Sequence, residues 1–220
     1  MRRIIGGVFQ SLDGVIQAPG GPTEDPTGGF AQGGWMPAVS DEVVGQAVGE
    51  FFSRPYDLLL GRRTYDIFAA YWPYATGDGV AMGTAFTTAA KYVLTRGEQP
   101  LAWANSHRLR GIDDIAALKR GDGPDLLIQG SSTIYAALLG AGLLDQLRLY
   151  SFPLVLGHGK RLFGESTPAG TLKLVDHQVS PGGAVIATYE PAGPVQQGSF
   201  GQIDSASEQE RQRRMEEGSW

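Results

Sequence analysis

The chain contains no cysteine. That excludes disulfides, thiolate zinc ligands and a cysteine nucleophile, and it fits a reducing interior. Histidine is scarce as well: His107, His158 and His177 lie far apart, and none forms the i, i+4 pair of a helical metal site. Basic residues are in deficit, with 18 lysines and arginines against 23 acids, a net charge of -5 and a pI near 5.2. A nucleic-acid binder needs the opposite balance to neutralise phosphates. No apolar run is long enough to span a bilayer. The first such run, at Ile4–Phe9, is too short for a signal-peptide core, and polar Gln10 and Asp13 follow it. These absences predict a cytoplasmic protein with no bound metal, no nucleic-acid partner and no membrane partner.

What is present suits a globular core. The chain has 220 residues, 42% of them hydrophobic, enough for one compact domain with or without a tail. Short apolar runs alternate with helical patterns, which argues for an α/β fold with a mostly parallel sheet. Strands are expected at Arg3–Gln10, Asp57–Leu60, Lys91–Thr95, Leu126–Gln129 and Gln146–Pro153, with a short one at Ala102–Asn105. Helices are expected from Ser40 to Phe52, with a capping serine, and over Arg62–Ala70, Gly83–Ala90, Asp113–Lys119 and Thr133–Ala141. Leu172–Gln178 and Ala184–Glu190 read as a closing antiparallel hairpin across Ser180-Pro181-Gly182-Gly183. Pro19–Gly34, rich in glycine and proline, reads as a long loop of the kind that often carries function. The domain spans residues 1–192. Residues 193–220 are a polar, charged tail, expected to be disordered or a solvated helix because it has no apolar face to bury.

Two turns carry the chemistry. In Asp57-Leu58-Leu59-Leu60-Gly61-Arg62-Arg63-Thr64-Tyr65 a buried strand ends in glycine, and two arginines and a threonine open a helix. A helix start offers free backbone N–H groups and positive dipole character. Cations there oppose the dipole, so two in succession with no local acid point to a bound phosphate. The arrangement recurs at Asp125-Leu126-Leu127-Ile128-Gln129-Gly130-Ser131-Ser132-Thr133, where Gly130 allows close backbone approach. Two such sites suggest a large phosphorylated cofactor such as a dinucleotide. A phosphate-ester transferase is disfavoured, because neither a Gly-x-x-x-x-Gly-Lys-Ser/Thr loop nor an acidic metal cluster is present.

Ser11-Leu12-Asp13-Gly14, Gly61–Tyr65, Gln129–Ser132, Phe152–Gly157 and Gly159–Phe163, in that order over roughly residues 3–190, together resemble the dihydrofolate reductase-like superfamily. The resemblance is closest to the reductase domain of the bacterial riboflavin-biosynthesis deaminase-reductase. It implies a three-layer α/β/α fold, a mixed and mostly parallel sheet, and an NADPH-dependent reductase. By that resemblance Gly61, Arg62, Arg63 and Thr64 hold the adenosine 2′-phosphate. Thr95 and Arg96 lie on the adenine side, and Gly130, Ser131, Ser132 and Thr133 cradle the pyrophosphate. Asp13 and Gly14 lie beside the nicotinamide. The zinc deaminase half needs His, Glu and cysteines and is expected to be absent.

The implied reaction is hydride transfer to a small heterocycle or ribosylaminopyrimidine-like substrate. Candidate proton donors are Asp13 and the helix-start acid Asp41. The acid of true dihydrofolate reductases falls near Gly45, with Asp41 and Glu42 the nearest acids. Trp35, Tyr71, Trp72 and Tyr74 could line a flat-ring pocket or simply pack. Lys160 and Arg161 could bind a substrate phosphate or lie at a surface. A homodimer is plausible, with Phe152–Leu156 as a candidate contact. The alternatives are a catalytically weak or inactive dinucleotide-binding regulatory protein and a true dihydrofolate reductase.

Overall fold

Leu58–Leu60 and Leu126–Ile128 are apolar at every position, and all six side chains are buried. Only a strand covered on both faces tolerates such a run, so these two segments form the middle of the sheet. The computed structural model describes residues 1–201 and 205–219. Its elements are β1 (Ile4–Ser11), α1 (Glu42–Phe51), β2 (Tyr56–Gly61), α2 (Arg62–Tyr71), α3 (Val80–Thr88), β3 (Lys91–Leu94), β4 (Ser106–Leu109), α4 (Ile112–Arg120), β5 (Asp125–Gln129), α5 (Ser132–Gly140), β6 (Gln146–Phe152), β7 (Leu172–Val179), β8 (Val185–Pro191) and α6 (Ala206–Glu216).

The eight strands lie in the order β4-β3-β2-β5-β1-β6-β8-β7. From β4 to β6 all pairs are parallel, and β8 and β7 close the edge in antiparallel fashion. Alternate side chains of a strand face opposite sides. Leu59 accordingly packs with Ile115 of α4 and Ile134 and Tyr135 of α5. Leu58 and Leu60 pack with Tyr65 of α2 and Phe86 of α3. A further cluster joins Val44 and Ala47 of α1 to Tyr150, Phe152 and Trp35. The result is the expected three-layer α/β/α sandwich.

The close approach of the helices depends on β1. A Cβ on Gly6 would lie 2.4 Å from the Tyr135 ring, and one on Gly7 would lie 2.8 Å from the Phe51 ring. These two glycines let α5 and α1 seat flat on the central strand. At the base of the sheet, buried Arg2 pairs with Asp57, and Lys119 pairs with Asp145.

Three local expectations are corrected. The edge strand is Ser106–Leu109, not Ala102–Asn105. The backbone N–H of Trp103 is taken by the Tyr65 hydroxyl at 2.9 Å, and Asn105 has a left-handed φ of 57°, so pairing begins only afterwards. The cap of α1 is Asp41, whose carboxylate accepts from the Val44 N–H at 3.0 Å, while the Ser40 hydroxyl donates to the Met36 carbonyl. Phe152, Leu154 and Leu156 pack into the chain's own core, so of that run Pro153 and Val155, the latter 70% exposed, lie at the surface.

In the tail, Ala206–Glu216 is a helix with no buried residue, capped by Ser205 and laced by Arg211–Glu208, Arg213–Glu210 and Arg213–Glu217 pairs. Residues 202–204 and 220, to which the expectation of disorder also applied, lie outside the described residues. Among the described residues no helix is long and apolar enough to cross a membrane.

Replacing Gly6 with valine forces the Tyr135 ring out of a packed site. The expected cost is about 1–3 kcal/mol. It is read as a lowered thermal melting temperature by circular dichroism, and an unchanged melt would refute the seating of α5 on β1.

Candidate functional site

Parallel pairing of β3, β2, β5 and β1 sends every C-terminal strand end to the same edge of the sheet. In open α/β sheets that edge is where ligands bind. It gathers Thr95 and Arg96 after β3, Gly61–Thr64 after β2, Gly130–Thr133 after β5 and Asp13–Gly14 after β1.

The two glycine turns noted in the sequence are spatial neighbours because β2 pairs directly with β5. The Gly61 N–H donates to the Ser131 hydroxyl at 2.9 Å, and that hydroxyl donates to the Thr64 hydroxyl at 2.7 Å. A Cβ on Gly61 would come within 3.2 Å of the Ser131 hydroxyl, so the turns are closely fitted. Gly130 and Ser131 both have left-handed φ, 70° and 62°. For serine that conformation costs on the order of 1–3 kcal/mol, and such strain concentrates at binding sites. Neither α2 nor α5 has a side-chain cap at its N-terminus, in contrast to α1. The Ser131 hydroxyl, in place of capping α5, ties the two turns together. Two helix starts thus lie side by side with their N–H groups not taken by capping side chains. Ser132 and Thr133 form the first turn of α5 beside them.

The arginines have more local company than their sequence neighbours suggested. Arg62 is paired through Nε with Asp66, at 2.9 Å, and donates from a terminal nitrogen to the Gln99 carbonyl at 2.9 Å. The acid sits one helical turn on, where i and i+4 side chains meet, so the expectation of no local acid is overturned for Arg62. Arg63 donates to the Thr27 hydroxyl at 2.8 Å and lies 3.6 Å from the Asp25 carboxylate. Thr95, buried, accepts the Gly97 N–H, while the Arg96 side chain is exposed.

Asp25 was not singled out from the sequence, yet it is the hub of the long loop. Its buried carboxylate pairs with Lys160 and accepts from the Thr27 hydroxyl. Burial pushes this carboxyl up, but the Lys160 and Thr27 hydrogen bonds outweigh it and hold it below the ordinary range. Gln17 grips the same loop by donating to the carbonyls of Asp25 and Thr27 at 2.9 and 2.8 Å. The His158 ring meets the Gly28 carbonyl at 3.0 Å. The loop is therefore strapped from the 158–160 segment on one side and from the start of α2 on the other. The sequence signal was Asp25-Pro26-Thr27, a turn-forming triplet whose acid bonds its own backbone two residues on. Lys160, left open between substrate contact and surface, is spent on this strap.

The two candidate proton donors are both held as carboxylates. Asp13 accepts from the Ser11 hydroxyl at 2.6 Å and from the Leu156 and Gly157 N–H groups at 3.1 and 2.9 Å, with Arg161 at 3.4 Å. The Ser11 hydrogen bond, followed by that of Leu156, lowers its pKa to about 2. Asp41, besides capping α1, accepts from the Gly182 N–H at 2.8 Å and so pins the β7–β8 turn. The Val44 and Gly182 hydrogen bonds lower its pKa as well. At neutral pH neither residue carries a proton to give, and both act as fasteners. The aromatic candidates do not form one pocket. Trp35 packs beside Phe152 with its indole N–H on the Gln17 carbonyl, Trp72 packs in a different cluster, and Tyr71 and Tyr74 are exposed.

The strand order, the antiparallel closing hairpin and the paired glycine turns at the sheet's C-terminal edge define a dihydrofolate reductase-like α/β protein. Residues 2–186 match the RibD C-terminal domain family, and the chain belongs to it. The protein YyaP of Bacillus subtilis (strain 168) is 25% identical over 198 residues, covering 86% of this chain and 94% of that one. Among solved structures, a protein assigned to riboflavin biosynthesis from Shewanella sp. PV-4 superposes with a TM-score of 0.62 at 20% identity, covering 86% of this chain and 99% of that chain. A pyrimidine reductase-like protein from Corynebacterium diphtheriae gives 0.59 at 13%, covering 87% and 92%. Dihydrofolate reductase from Enterococcus faecalis, complexed with NADP(H) and RAB-propyl, gives 0.53 at 16%, covering 86% and 96%. These structural likenesses establish the fold.

Because the Asp13 pKa lies below its ordinary 3.8, its contribution to stability is present above about pH 4 and is lost as pH falls towards 2. Asp13→Asn should therefore lower the melting temperature at pH 7. The gap from the unmodified protein should close between pH 4 and pH 2, and a gap constant across that range would show that Asp13 fastens nothing.

Proposed function

We propose that this chain is an NADPH-dependent reductase acting on a small heterocycle of the ribosylaminopyrimidine type. The observation that carries the reading is the pair of uncapped helix starts, α2 and α5, side by side at the ligand edge of the sheet with Arg62 and Arg63 at one of them. Helix starts of this kind suit an anion, and two together suit a pyrophosphate-bearing nucleotide. The donor set fits the cofactor. Gly130, Ser131, Ser132 and Thr133 would hold the pyrophosphate through backbone N–H groups and hydroxyls. Gly61, Arg62, Arg63, Thr64, Thr95 and Arg96 would hold the adenosine half and its 2′-phosphate. Gly14, at φ 79° with nothing within 4 Å of where its Cβ would lie, leaves room beside β1 for the nicotinamide.

When bound, the cofactor supplies the hydride. The chain's own part is to orient, to exclude water and to manage the proton. The strapped loop at Pro19–Gly34 would cover the reacting groups, with Asp25 and Thr27 keeping it against α2. Since Asp13 and Asp41 are held as anions, the proton would reach the substrate from ordered water at the edge of the site rather than from either carboxyl. Family membership and the pyrimidine reductase-like and riboflavin-biosynthesis neighbours support the substrate class. Strand β7, an open edge carrying exposed Leu174, Val175 and Val179, supports a homodimer. The commitment of both acids equally favours a second reading, a dinucleotide-binding regulatory protein without turnover. Steady NADPH oxidation with a pyrimidine acceptor would reject it.

Replacing Arg62 and Arg63 together by alanine should weaken NADPH binding by about ten- to a hundredfold, the worth of one or two charge-assisted hydrogen bonds. NADH binding should change little. Calorimetry with both nucleotides checks this, and equal losses would overturn the 2′-phosphate role.

A further inference from the structure

The turn that follows β3 is held in an unusual way. Three guanidinium groups converge on the backbone carbonyls of Arg96–Gln99. Arg108, on the edge strand β4, donates to the Gly97 carbonyl and, at 2.6 Å, to the Gln99 carbonyl. Arg62, at the start of α2, donates to that same Gln99 oxygen at 2.9 Å. Arg110 reaches the Arg96 carbonyl at 3.4 Å and the Glu98 carboxylate at 2.9 Å. A carbonyl oxygen has lone pairs for two donors, so the geometry is satisfied. The charge is not balanced there, because Arg62 has Asp66 as its counter-ion whereas Arg108 sits on neutral acceptors alone.

The local acids offset this charge only in part, Glu98 acting on Arg108 as well as on Arg110. Asp66 is taken by Arg62 and Glu98 by Arg110, while the Asp114 carboxylate accepts the Arg110 backbone N–H at 2.6 Å. Arg108, half-buried, and Arg96, exposed, make no ion pair among the described residues. A turn that needed only hydrogen bonds would be served by neutral donors. Guanidinium groups on neutral carbonyls keep their full charge, and burial weakens its screening. Four guanidinium groups, of Arg62, Arg96, Arg108 and Arg110, thus stand against three carboxylates, of Asp66, Glu98 and Asp114, a net positive balance beside the uncapped start of α2 with the Arg96 side chain at its rim.

We infer that Arg108 is a positioning residue for cofactor choice: it fixes the Arg96–Gln99 turn and, with Arg96, leaves an excess of positive charge that a phosphomonoester dianion neutralises. This rests on the reading of the protein as an NADPH reductase and extends it to a residue outside the glycine turns. Arg108 itself stays on the carbonyls; its effect on the phosphate is exerted through Arg96 and through the field. A monoanionic or phosphate-free adenosine ribose gains less from the same turn, so the arrangement discriminates between the two nicotinamide nucleotides.

The test is calorimetric titration of the full chain with NADPH and with NADH, for the unmodified protein, Arg108→Gln and Arg108→Lys, with thermal melts confirming that each is folded. Arg108→Gln should weaken NADPH binding by about tenfold, the effect of one nearby charge at partly screened range, and leave NADH binding unchanged. Arg108→Lys, which keeps the charge but cannot span two carbonyls, should fall between. A 31P spectrum of bound NADP+ should show the 2′-phosphate resonance shifted in the unmodified protein and moved towards its free position in Arg108→Gln. Equal losses for both nucleotides would reduce Arg108 to a structural role and overturn the inference. Unchanged selectivity in Arg108→Gln would overturn it while leaving the reductase reading intact. Binding of neither nucleotide by the unmodified protein would overturn both. If Arg108→Gln fails to fold, Arg108→Lys still decides, because unchanged selectivity in it together with an unshifted 2′-phosphate resonance in the unmodified protein overturns the inference.

Discussion

The side-by-side pairing of β2 with β5 is the constraint on which the rest of the site depends. It brings two turns separated by about seventy residues into direct contact, and the Gly61–Ser131–Thr64 hydrogen-bond chain locks their relative position. Once that is fixed, α2 and α5 start from adjacent points, neither with a side-chain cap. One helix start is a weak anion site; two held side by side would suit a ligand longer than a single phosphate, as the proposed function requires. The left-handed Ser131 shows that the chain accepts local strain to keep this arrangement.

Charge is distributed with a clear division of labour. The acids near the site are fasteners. Asp13 holds the Leu156–Gly157 segment, Asp41 the hairpin turn, Asp25 the long loop, and Asp66 the Arg62 side chain. The exposed Arg62–Asp66 pair contributes little to global stability, about 0–1 kcal/mol, but together these contacts decide where segments lie. The carboxylates are consumed by architecture, and what remains unneutralised at the sheet edge is cationic.

Much of this was legible in the amino-acid order. Leu58–Leu60 and Leu126–Ile128 read as strands because nothing polar interrupts them, and Gly61 and Gly130 marked the turns because a strand ending in glycine before a helix has few other uses. The hairpin across Ser180–Gly183 announced itself through its turn residues. The partners were not legible. Asp66 is an exception, since its i+4 spacing from Arg62 was there to be read. Asp25 acquires its meaning from Lys160, far along the chain, and Asp41 from Gly182. No local rule connects such residues. The shift of the edge strand to Ser106 likewise came from a tertiary contact, the Tyr65 hydroxyl on the Trp103 backbone, that overrides local propensity. Roles of single acids are therefore the part of a site that sequence reading misassigns most readily, because a carboxylate's function is set by whatever folds against it.

The fit between Gly6 and Tyr135 reaches beyond packing. The ring occupies the volume a Cβ at residue 6 would need, and its hydroxyl donates to the Ile128 carbonyl at 3.3 Å on the strand that leads into the Gly130 turn. The two positions thus form a single heritable unit: relatives with a bulkier residue at the first should carry a slimmer one at the second. In such relatives the turn behind Ile128 would have to find another brace.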